Sequence, residues 1–185
     1  RPAGLQDGIT YSPDGQSVTL SLFAPQKKSV FVLGDFNDWQ PDFNYLMKKD
    51  SLKADSVWYW LEITGLTPGQ SYGFQYLVDG QLKIADPYST LILDPYNDSY
   101  IPESTFPNLM PYPKEKTTGY VSVIEPGKPA FNWQAENYKR PAKKDLVIYE
   151  LLVRDFLKNK NYQTLTDTLD YFVTLGVNAI ELMPV

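Results

Sequence analysis

The chain lacks two residue types that carry much of protein chemistry. Its 185 residues include no Cys and no His, which excludes disulfides, thiolate chemistry, Cys/His zinc sites and the commonest general base at neutral pH. Any acid–base chemistry must therefore use carboxylates, Tyr or Lys. The absence of Cys does not identify a compartment, so periplasmic, extracellular and cytoplasmic locations all stay open.

Positive charge and long apolar runs are also scarce. The chain has 17 Lys and Arg against 22 Asp and Glu, a net charge of −5. Because this charge would repel a phosphate backbone, we expect no nucleic-acid partner. No apolar stretch approaches the roughly 18 residues of a transmembrane helix, so no membrane span is expected. The first residue is Arg1 rather than Met, which leads us to expect that upstream sequence was removed.

Aromatic residues are abundant. They make up 15% of the chain, including 14 Tyr and 4 Trp, within a hydrophobic content of 43%. This content supports a packed core. The aromatic surplus is typical both of a surface that contacts sugars and of a Tyr-rich β-sandwich core.

Two-residue alternation of apolar and polar residues extends from Gly8 to about Ile92. It predicts short antiparallel strands over 18–22, 30–33, 57–64 and 72–78. Asp79-Gly80 predicts a tight hairpin, because a type I′ turn needs positive φ at both central residues. Several short strands at this spacing predict a sandwich.

Beyond about Asp94 the pattern changes. Frequent prolines predict an extended connector up to about Asp145, with one short strand over 120–124. The apolar run 146–149 and the segment 179–183 predict two buried strands. Between them Thr164 is predicted to cap a helix that Gly176 ends. Residues 146–185 therefore read as one strand-helix-strand unit.

This unit resembles the opening of the catalytic barrel of the α-amylase superfamily. The residues that carry the resemblance are 147–151 and 153–156, which match its first strand, and 169–171 and 175–185, which match its first helix and second strand. The two matches occur in the family's order and cover about 40 residues of the chain.

The upstream part resembles the starch- and glycogen-binding module that precedes this barrel in branching and debranching enzymes. The residues concerned are Val30-Phe31-Val32-Leu33-Gly34-Asp35-Phe36-Asn37-Asp38-Trp39, Tyr76-Leu77-Val78-Asp79-Gly80 and Ala85-Asp86-Pro87-Tyr88. Together the resemblances imply a mainly β chain in three parts. Residues 1–125 form an immunoglobulin-like (early-set) β-sandwich, 126–145 a proline-containing connector, and 146–185 the first strand-helix-strand of an incomplete catalytic TIM (β/α)8 barrel.

The resemblance also implies a function. The parent protein is expected to be an α-glucan-active glycoside hydrolase or transglycosidase of amylase, pullulanase or branching-enzyme type. Its partners would be an α-glucan and the rest of its own barrel, and calcium is a possible cofactor of the full-length enzyme. The catalytic residues are expected beyond Val185, so the 185-residue chain alone is predicted to be inactive.

Four residues are candidate substrate contacts: Trp39, Trp58, Trp60 and Asn97. An indole face can stack on a glucose ring while its N–H donates a hydrogen bond. For Trp39 the alternative is a plug at the edge of the sandwich, and for Trp58 and Trp60 it is the core. Glycan-binding relatives carry a Lys and a second Trp where this chain has Gln75 and Leu82.

The carboxylates Glu150, Asp155 and Glu181 lie on or next to the two predicted barrel strands. Glycoside hydrolysis needs two carboxyl groups across the scissile bond, about 5 to 5.5 Å apart in retaining enzymes. In the family these groups follow later strands, so no catalytic role is assigned to the three residues. Each is expected to be a polar strand residue with a local partner.

Two other functions stay open. One is a non-catalytic glycan-binding or scaffold module, as in kinase regulatory subunits, although such modules end with the sandwich. The other is an immunoglobulin-like adhesion or spacer domain on a cell surface, which would make both resemblances coincidental.

Overall fold

A computed structural model describes residues 1–53, 55–135 and 137–183 and shows a mainly β chain with few helices. The chain divides into two compact units, the first formed by Arg1–Tyr100 and Met110–Ala130 and the second by Ile101–Leu109 and Phe131–Val185. Pro184 and Val185, which end the motif assigned to the second barrel strand, lie outside the described residues. The sequence-based domain boundaries stay predictions.

The first unit is built from two antiparallel sheets. One sheet has the strand order β1-β2-β5-β4, and the other has the order β3-β6-β9-β8, with β7 also paired to β6. The strands are β1 (Gly8–Tyr11), β2 (Ser17–Phe23), β3 (Val30–Gly34), β4 (Lys48–Lys53), β5 (Ser56–Thr64), β6 (Tyr72–Val78), β7 (Leu82–Ile84), β8 (Ile92–Leu93) and β9 (Val121–Ile124).

The core of the first unit is formed by alternating side chains from the strands of both sheets. Its largest fully buried side chains include Tyr59, Tyr76, Phe74 and Leu20. In β5, Val57, Tyr59, Leu61 and Ile63 are buried, whereas Trp58 and Trp60 face the other way and are half-buried. The prediction of a β-sandwich is confirmed.

Two features of the sandwich differ from the alternation pattern. Strand β4, with the sequence Lys-Lys-Asp-Ser-Leu-Lys, carries no strand signal and forms because its backbone pairs with β5. Strand β6 is buried on both faces rather than one, because residues 112–120, named here the covering segment, hydrogen-bond to Gln75 on its outer face.

The hairpin after β6 has the predicted geometry. Asp79 and Gly80 have φ values of 51° and 70°, as a type I′ turn requires. The Asp79 carboxylate also accepts hydrogen bonds from the backbone N–H groups of Lys28 and Ser29, at 2.7 and 3.1 Å. These bonds lower the pKa of Asp79 and tie the turn to the start of β3.

The second unit contains a parallel strand pair joined through helices. Strand β10 (Ile148–Leu151) pairs with β11 (Ala179–Leu182), and the connection contains α1 (Val153–Phe156), α2 (Tyr162–Thr166) and α3 (Leu169–Thr174). The predicted strand-helix-strand order is confirmed. Asn178 locks the start of the pair, because its side chain accepts from the Val147 N–H and donates to the Asp145 carbonyl.

Two local expectations for this unit are wrong. The helix cap is Asn161, whose side chain accepts from the Thr164 N–H at 2.8 Å, so the helix begins before Thr164. Residues 153–156 form a helical turn instead of continuing the first strand, because the N–H groups of Asp155 and Phe156 both donate to the Leu152 carbonyl.

Apolar packing in the second unit is concentrated on one aromatic cluster. Phe172 is 2% exposed and its ring lies 5.0 Å from that of Tyr149 and 5.3 Å from that of Phe156. Outside this cluster, large apolar side chains such as Ile148 and Val173 are more than half exposed. Strand β10 and helix α3 therefore leave apolar surface in contact with solvent.

Candidate functional site

The segment from Gly34 to Trp39 forms a compact turn at the end of β3. Residues Asp35–Asn37 make one 3₁₀ turn, and the Asn37 side chain accepts from the Gly34 N–H and donates to the Val32 carbonyl, both at 2.8 Å. Asp38 and Trp39 then adopt positive φ values of 50° and 61°. This backbone turns the indole of Trp39 back toward the sandwich.

Trp39 is buried rather than displayed on the surface. It is 3% exposed, and its Nε1–H donates to Asp35 Oδ1 at 2.9 Å. The other oxygen of Asp35 accepts from the Gly73 N–H at 2.6 Å, so one carboxylate joins the indole to β6. The sugar contact at Trp39 stays a prediction, but this geometry favours the alternative role as a structural plug.

The covering segment lies over Gln75 on β6. Gln75 is fully buried and donates to the carbonyls of Thr118 and Tyr120, while Thr117 donates to its Oε1 at 2.6 Å. Lys83 Nζ donates to the hydroxyl of Thr117 at 3.1 Å. Gln75 therefore holds a loop, and it presents no free polar group to a ligand.

Leu82 occupies the position after the hairpin and is 55% exposed. An aliphatic side chain gives no flat aromatic platform for a sugar ring. The three positions that the resemblance linked to glycan contact thus comprise a buried Trp, a buried Gln and an exposed Leu.

Trp58 and Trp60 share one face of the first sheet, as the alternation predicted, and the structure shows that this is the outer face. We name this surface the outer aromatic face and define it by Phe23, Lys48, Trp58 and Trp60. Lys48 Nζ lies 4.5 Å from the centroid of Trp60, and the ring of Phe23, which is 45% exposed, lies 5.1 Å from that of Trp58. Aromatic rings and a hydrogen-bond donor are therefore adjacent on one face.

Trp58 sits deeper in this face than Phe23. Its Nε1 is buried and has no hydrogen-bond partner within the part of the chain that the structure describes. A buried donor without a partner costs free energy, and a ligand oxygen or an ordered water that reached it would remove this cost.

Asn97 lies apart from the aromatic residues. It is exposed, in the loop before the 3₁₀ turn Asp98–Tyr100, and its side chain donates to Asp94 Oδ2 at 2.7 Å. This hydrogen bond and the Tyr96 N–H lower the pKa of Asp94. Asn97 thus stabilises its own loop, and its substrate contact stays a prediction.

The Ala-Asp-Pro-Tyr motif supplies a buried polar network. The carboxylate of Asp86, 3% exposed, accepts from the Tyr76 hydroxyl at 2.6 Å and from the Tyr88 N–H at 2.7 Å. Its own N–H donates to the Ser122 hydroxyl. Burial raises the pKa of Asp86, and the hydrogen bonds from Tyr76 and Tyr88 oppose that rise. Burial, followed by the neighbouring Asp86 charge, raises the pKa of Tyr76.

This raised pKa predicts a pH dependence of stability. The folded state holds the Asp86 proton more tightly than the unfolded state, whose pKa is near the ordinary 3.8. The contribution of Asp86 to the free energy of unfolding is therefore fully present below that value and is lost as pH rises through the folded pKa. In urea unfolding from about pH 3 to about pH 7, wild type should lose stability relative to Asp86→Asn. Parallel curves for the two proteins would contradict this expectation.

The three carboxylates on or next to the parallel strands lie at exposed positions. Glu150 and Glu181 are cross-strand partners and both are exposed. Asp155 pairs with Arg154 at 2.9 Å, which lowers the Asp155 pKa.

Among the described residues there is no group of three or more acidic side chains placed to bind a metal ion. Within those same ranges no helix is long and apolar enough to cross a bilayer.

Sequence reasoning missed two contributors to the outer aromatic face. Lys48 lies on β4, which has no strand signal, and its position over Trp60 depends on the pairing of β4 with β5. Phe23 ends β2, and its outward orientation follows from the same alternation that placed Leu22 inside. The alternation could have found Phe23, whereas nothing in the sequence indicated Lys48.

Comparison with known families identifies the sandwich. Residues 7–97 match the model of carbohydrate-binding module 48, the isoamylase N-terminal domain. Over these residues the chain is similar to that family. The family-48 match covers β1–β8 and includes the Gly34–Trp39 turn, the outer aromatic face and, from the Asp86 network, Tyr76, Asp86 and Tyr88.

The similarity continues beyond the family-48 region in curated relatives. The chain is 28% identical over 175 residues to malto-oligosyltrehalose trehalohydrolase of Saccharolobus solfataricus, covering 95% of this chain and 25% of the relative. It is 26% identical to chloroplastic isoamylase 1 of Arabidopsis thaliana, covering 99% and 24%. It is 29% identical to the 1,4-alpha-glucan branching enzyme of Cupriavidus pinatubonensis, covering 92% and 22%. The chain thus spans about a quarter of the length of these relatives.

Solved structures agree on the fold. A group B Streptococcus pullulanase in complex with maltotetraose matches 98% of this chain and 24% of its own, with a TM-score of 0.61 at 21% identity. A putative alpha amylase from Salmonella typhimurium matches 97% and 24%, with a TM-score of 0.60 at 21% identity. At these identities the likeness concerns the fold alone. The resemblance of the chain to the N-terminal part of an α-amylase superfamily enzyme is confirmed by the family and its relatives.

Proposed function

We propose that this chain is the N-terminal part of an α-glucan-active glycoside hydrolase or transglycosidase, in which the family-48 sandwich precedes the catalytic barrel. The observation that carries the proposal is the match over 92–99% of the chain to an isoamylase, a branching enzyme and a trehalohydrolase. These matches extend past the sandwich into the second unit.

The parallel pair β10–β11 supports a barrel beginning at this point. A strand, a helical connection and a second parallel strand are the repeating unit of a TIM barrel. The exposed apolar side chains of Ile148 and Val173 are the surface that the remaining strands and helices would bury. A non-catalytic glycan-binding module would not need this unit, so the enzyme is the better candidate.

The 185-residue chain is proposed to be catalytically inactive by itself. A closed barrel takes eight strands and about 250 residues, and its active site is built from loops at the carboxyl end of all of them. The acidic side chains Glu150, Asp155 and Glu181 are exposed, and Asp155 is paired with Arg154. Catalysis is therefore assigned to residues beyond Val185.

Within the sandwich, we assign α-glucan contact to the outer aromatic face. Trp60 is half-buried, so part of its indole is available for stacking on a glucose ring. Lys48 Nζ covers one face of that indole at 4.5 Å, so a glucose ring stacking on this face would displace it, and the displaced ammonium could donate to a sugar hydroxyl. Trp39 lacks both properties, because it is buried and its N–H is already bonded to Asp35.

The test of the proposed enzyme is an activity assay on a longer protein that contains the complete barrel. We expect release or transfer of glucan chains from glycogen, amylopectin or pullulan, with no activity from the 185-residue chain under the same conditions. A longer, folded protein inactive on every α-glucan would overturn the proposal.

A further inference from the structure

A groove lies at the edge of the sandwich where the end of β1 meets the end of β9. Its volume is about 380 Å³, and its walls are the turn after Tyr11 and the turn from Glu125 to Pro129. Ligand pockets in proteins have volumes of about 300 to 1,000 Å³, so this groove has room for a small ligand. It is distinct from the outer aromatic face. Tyr11 is the cross-strand partner of the buried Val18, so its side chain lies on the inner side of the first sheet.

The walls of the groove are fixed by close backbone contacts. A Cβ added at Gly15 would lie 2.9 Å from the Gly127 nitrogen, and one at Gly127 would lie 2.9 Å from Pro68 Cβ. Both glycines have positive φ, at 66° and 70°. The Gly69 N–H donates to the Pro126 carbonyl at 2.7 Å, which anchors the second turn to the loop before β6.

The polar groups of the groove include both donors and acceptors. The Tyr11 hydroxyl accepts from the Glu125 N–H at 3.0 Å, which leaves its own proton to donate. Lys128 Nζ lies 2.6 Å from Glu125 Oε2, and the two side chains are 62% and 22% exposed. Thr90 adds an exposed hydroxyl. Burial raises the pKa of Tyr11, so the phenol stays a donor at neutral pH.

The charges of the groove select the class of ligand. Because Lys128 and Glu125 neutralise each other, neither an anion nor a cation gains a free countercharge. What the groove does supply is a half-exposed aromatic ring, two proline rings at Pro13 and Pro129, and several hydrogen-bonding groups. A flat apolar surface combined with donors and acceptors matches a neutral sugar ring.

We propose that this groove binds one glucosyl unit of an α-glucan chain, with Tyr11 as the stacking platform and Lys128 and Glu125 as hydrogen-bond partners of its hydroxyls. The choice of an α-glucan rather than another neutral sugar rests on the proposed function. In this arrangement the sandwich holds glucan at its edge as well as on its outer aromatic face.

The test is a nuclear magnetic resonance titration of the ¹⁵N-labelled 185-residue chain with maltotetraose, using cellotetraose as the β-linked control. We expect saturable shifts of the amides of Ser12, Glu125 and Lys128 with maltotetraose. The dissociation constant should rise about tenfold in Tyr11→Ala and about threefold in Tyr11→Phe and Lys128→Met. Lys114→Met, which removes an exposed lysine outside the groove, should leave it unchanged.

Three outcomes would overturn the groove as a glucan site: no shifts at these amides, shifts confined to β5, or equal affinities in all variants. Tyr11→Phe keeps the ring and Lys128→Met changes an exposed side chain, so both are readable even if Tyr11→Ala fails to fold. The activity assay on the longer protein is independent. If the longer protein is active but maltotetraose causes no shifts at the groove amides, this inference alone is overturned. If the longer protein is inactive but the groove amides shift, the proposed enzyme alone is overturned.

Discussion

Replacing Trp39 with alanine is expected to lower the free energy of unfolding of the sandwich by about 3 to 5 kcal/mol, the range for removing a buried Trp or Phe. Trp39 is 3% exposed, and the change would also leave Asp35 Oδ1 without the indole N–H that it accepts. The measurement is chemical unfolding of the 185-residue chain, followed by fluorescence and circular dichroism.

Trp60→Ala is the matched control for this prediction. It removes the same side chain from a half-buried position on the same sandwich, so we expect a loss of only about 1 kcal/mol. If Trp39→Ala were no more destabilising than Trp60→Ala, the indole of Trp39 would not be the structural plug that the geometry indicates. A surface role for Trp39 would then be the better interpretation.

Replacing Phe172 with alanine should have an equally large effect, confined to the second unit. Phe172 is 2% exposed and contacts the rings of Tyr149, Phe156 and Tyr171. Its removal is expected to cost about 3 to 5 kcal/mol, and the small core of this unit offers little to compensate. Hydrogen exchange at the amides of β10 and β11 should therefore become fast, while exchange in the sandwich should not change.

The neighbouring Val173 provides the control for Phe172. It lies on the same helix and is 69% exposed, so Val173→Ala should change stability by no more than about 0.5 kcal/mol. Slow exchange in β10 and β11 of Phe172→Ala would show that the strand pair is held by something other than the aromatic cluster.

The alternation of apolar residues was sufficient to predict much of the sandwich. It located β2, β3, β5 and β6, and it placed Tyr59 on the face opposite to Trp58 and Trp60, whereas the structure shows which of the two faces is buried. Strand β4 could not be found in this way, because its sequence is mostly charged and its strand geometry comes from pairing with β5. Local sequence carries no signal for a strand that depends on its neighbour.

The site was less predictable because burial depends on segments distant in sequence. Asp35, which accepts the indole N–H of Trp39, is held in turn by the N–H of Gly73, 38 residues further along the chain. The covering segment hydrogen-bonds to Gln75 across a separation of 42 or more residues. Sequence spacing cannot show that these segments meet. A different limit applies to α2, where Asn161 and Thr164 are both good capping residues. Only the hydrogen bond from the Thr164 N–H to the Asn161 side chain shows that Asn161 is the cap.

The most direct test of the account is a titration of the 185-residue chain with maltoheptaose and β-cyclodextrin, followed by Trp fluorescence in wild type, Trp60→Ala and Trp39→Phe. The account predicts a saturable change in wild type that Trp60→Ala abolishes and that Trp39→Phe retains. No saturable change at sugar concentrations up to about 10 mM, or a change lost in Trp39→Phe and kept in Trp60→Ala, would contradict it.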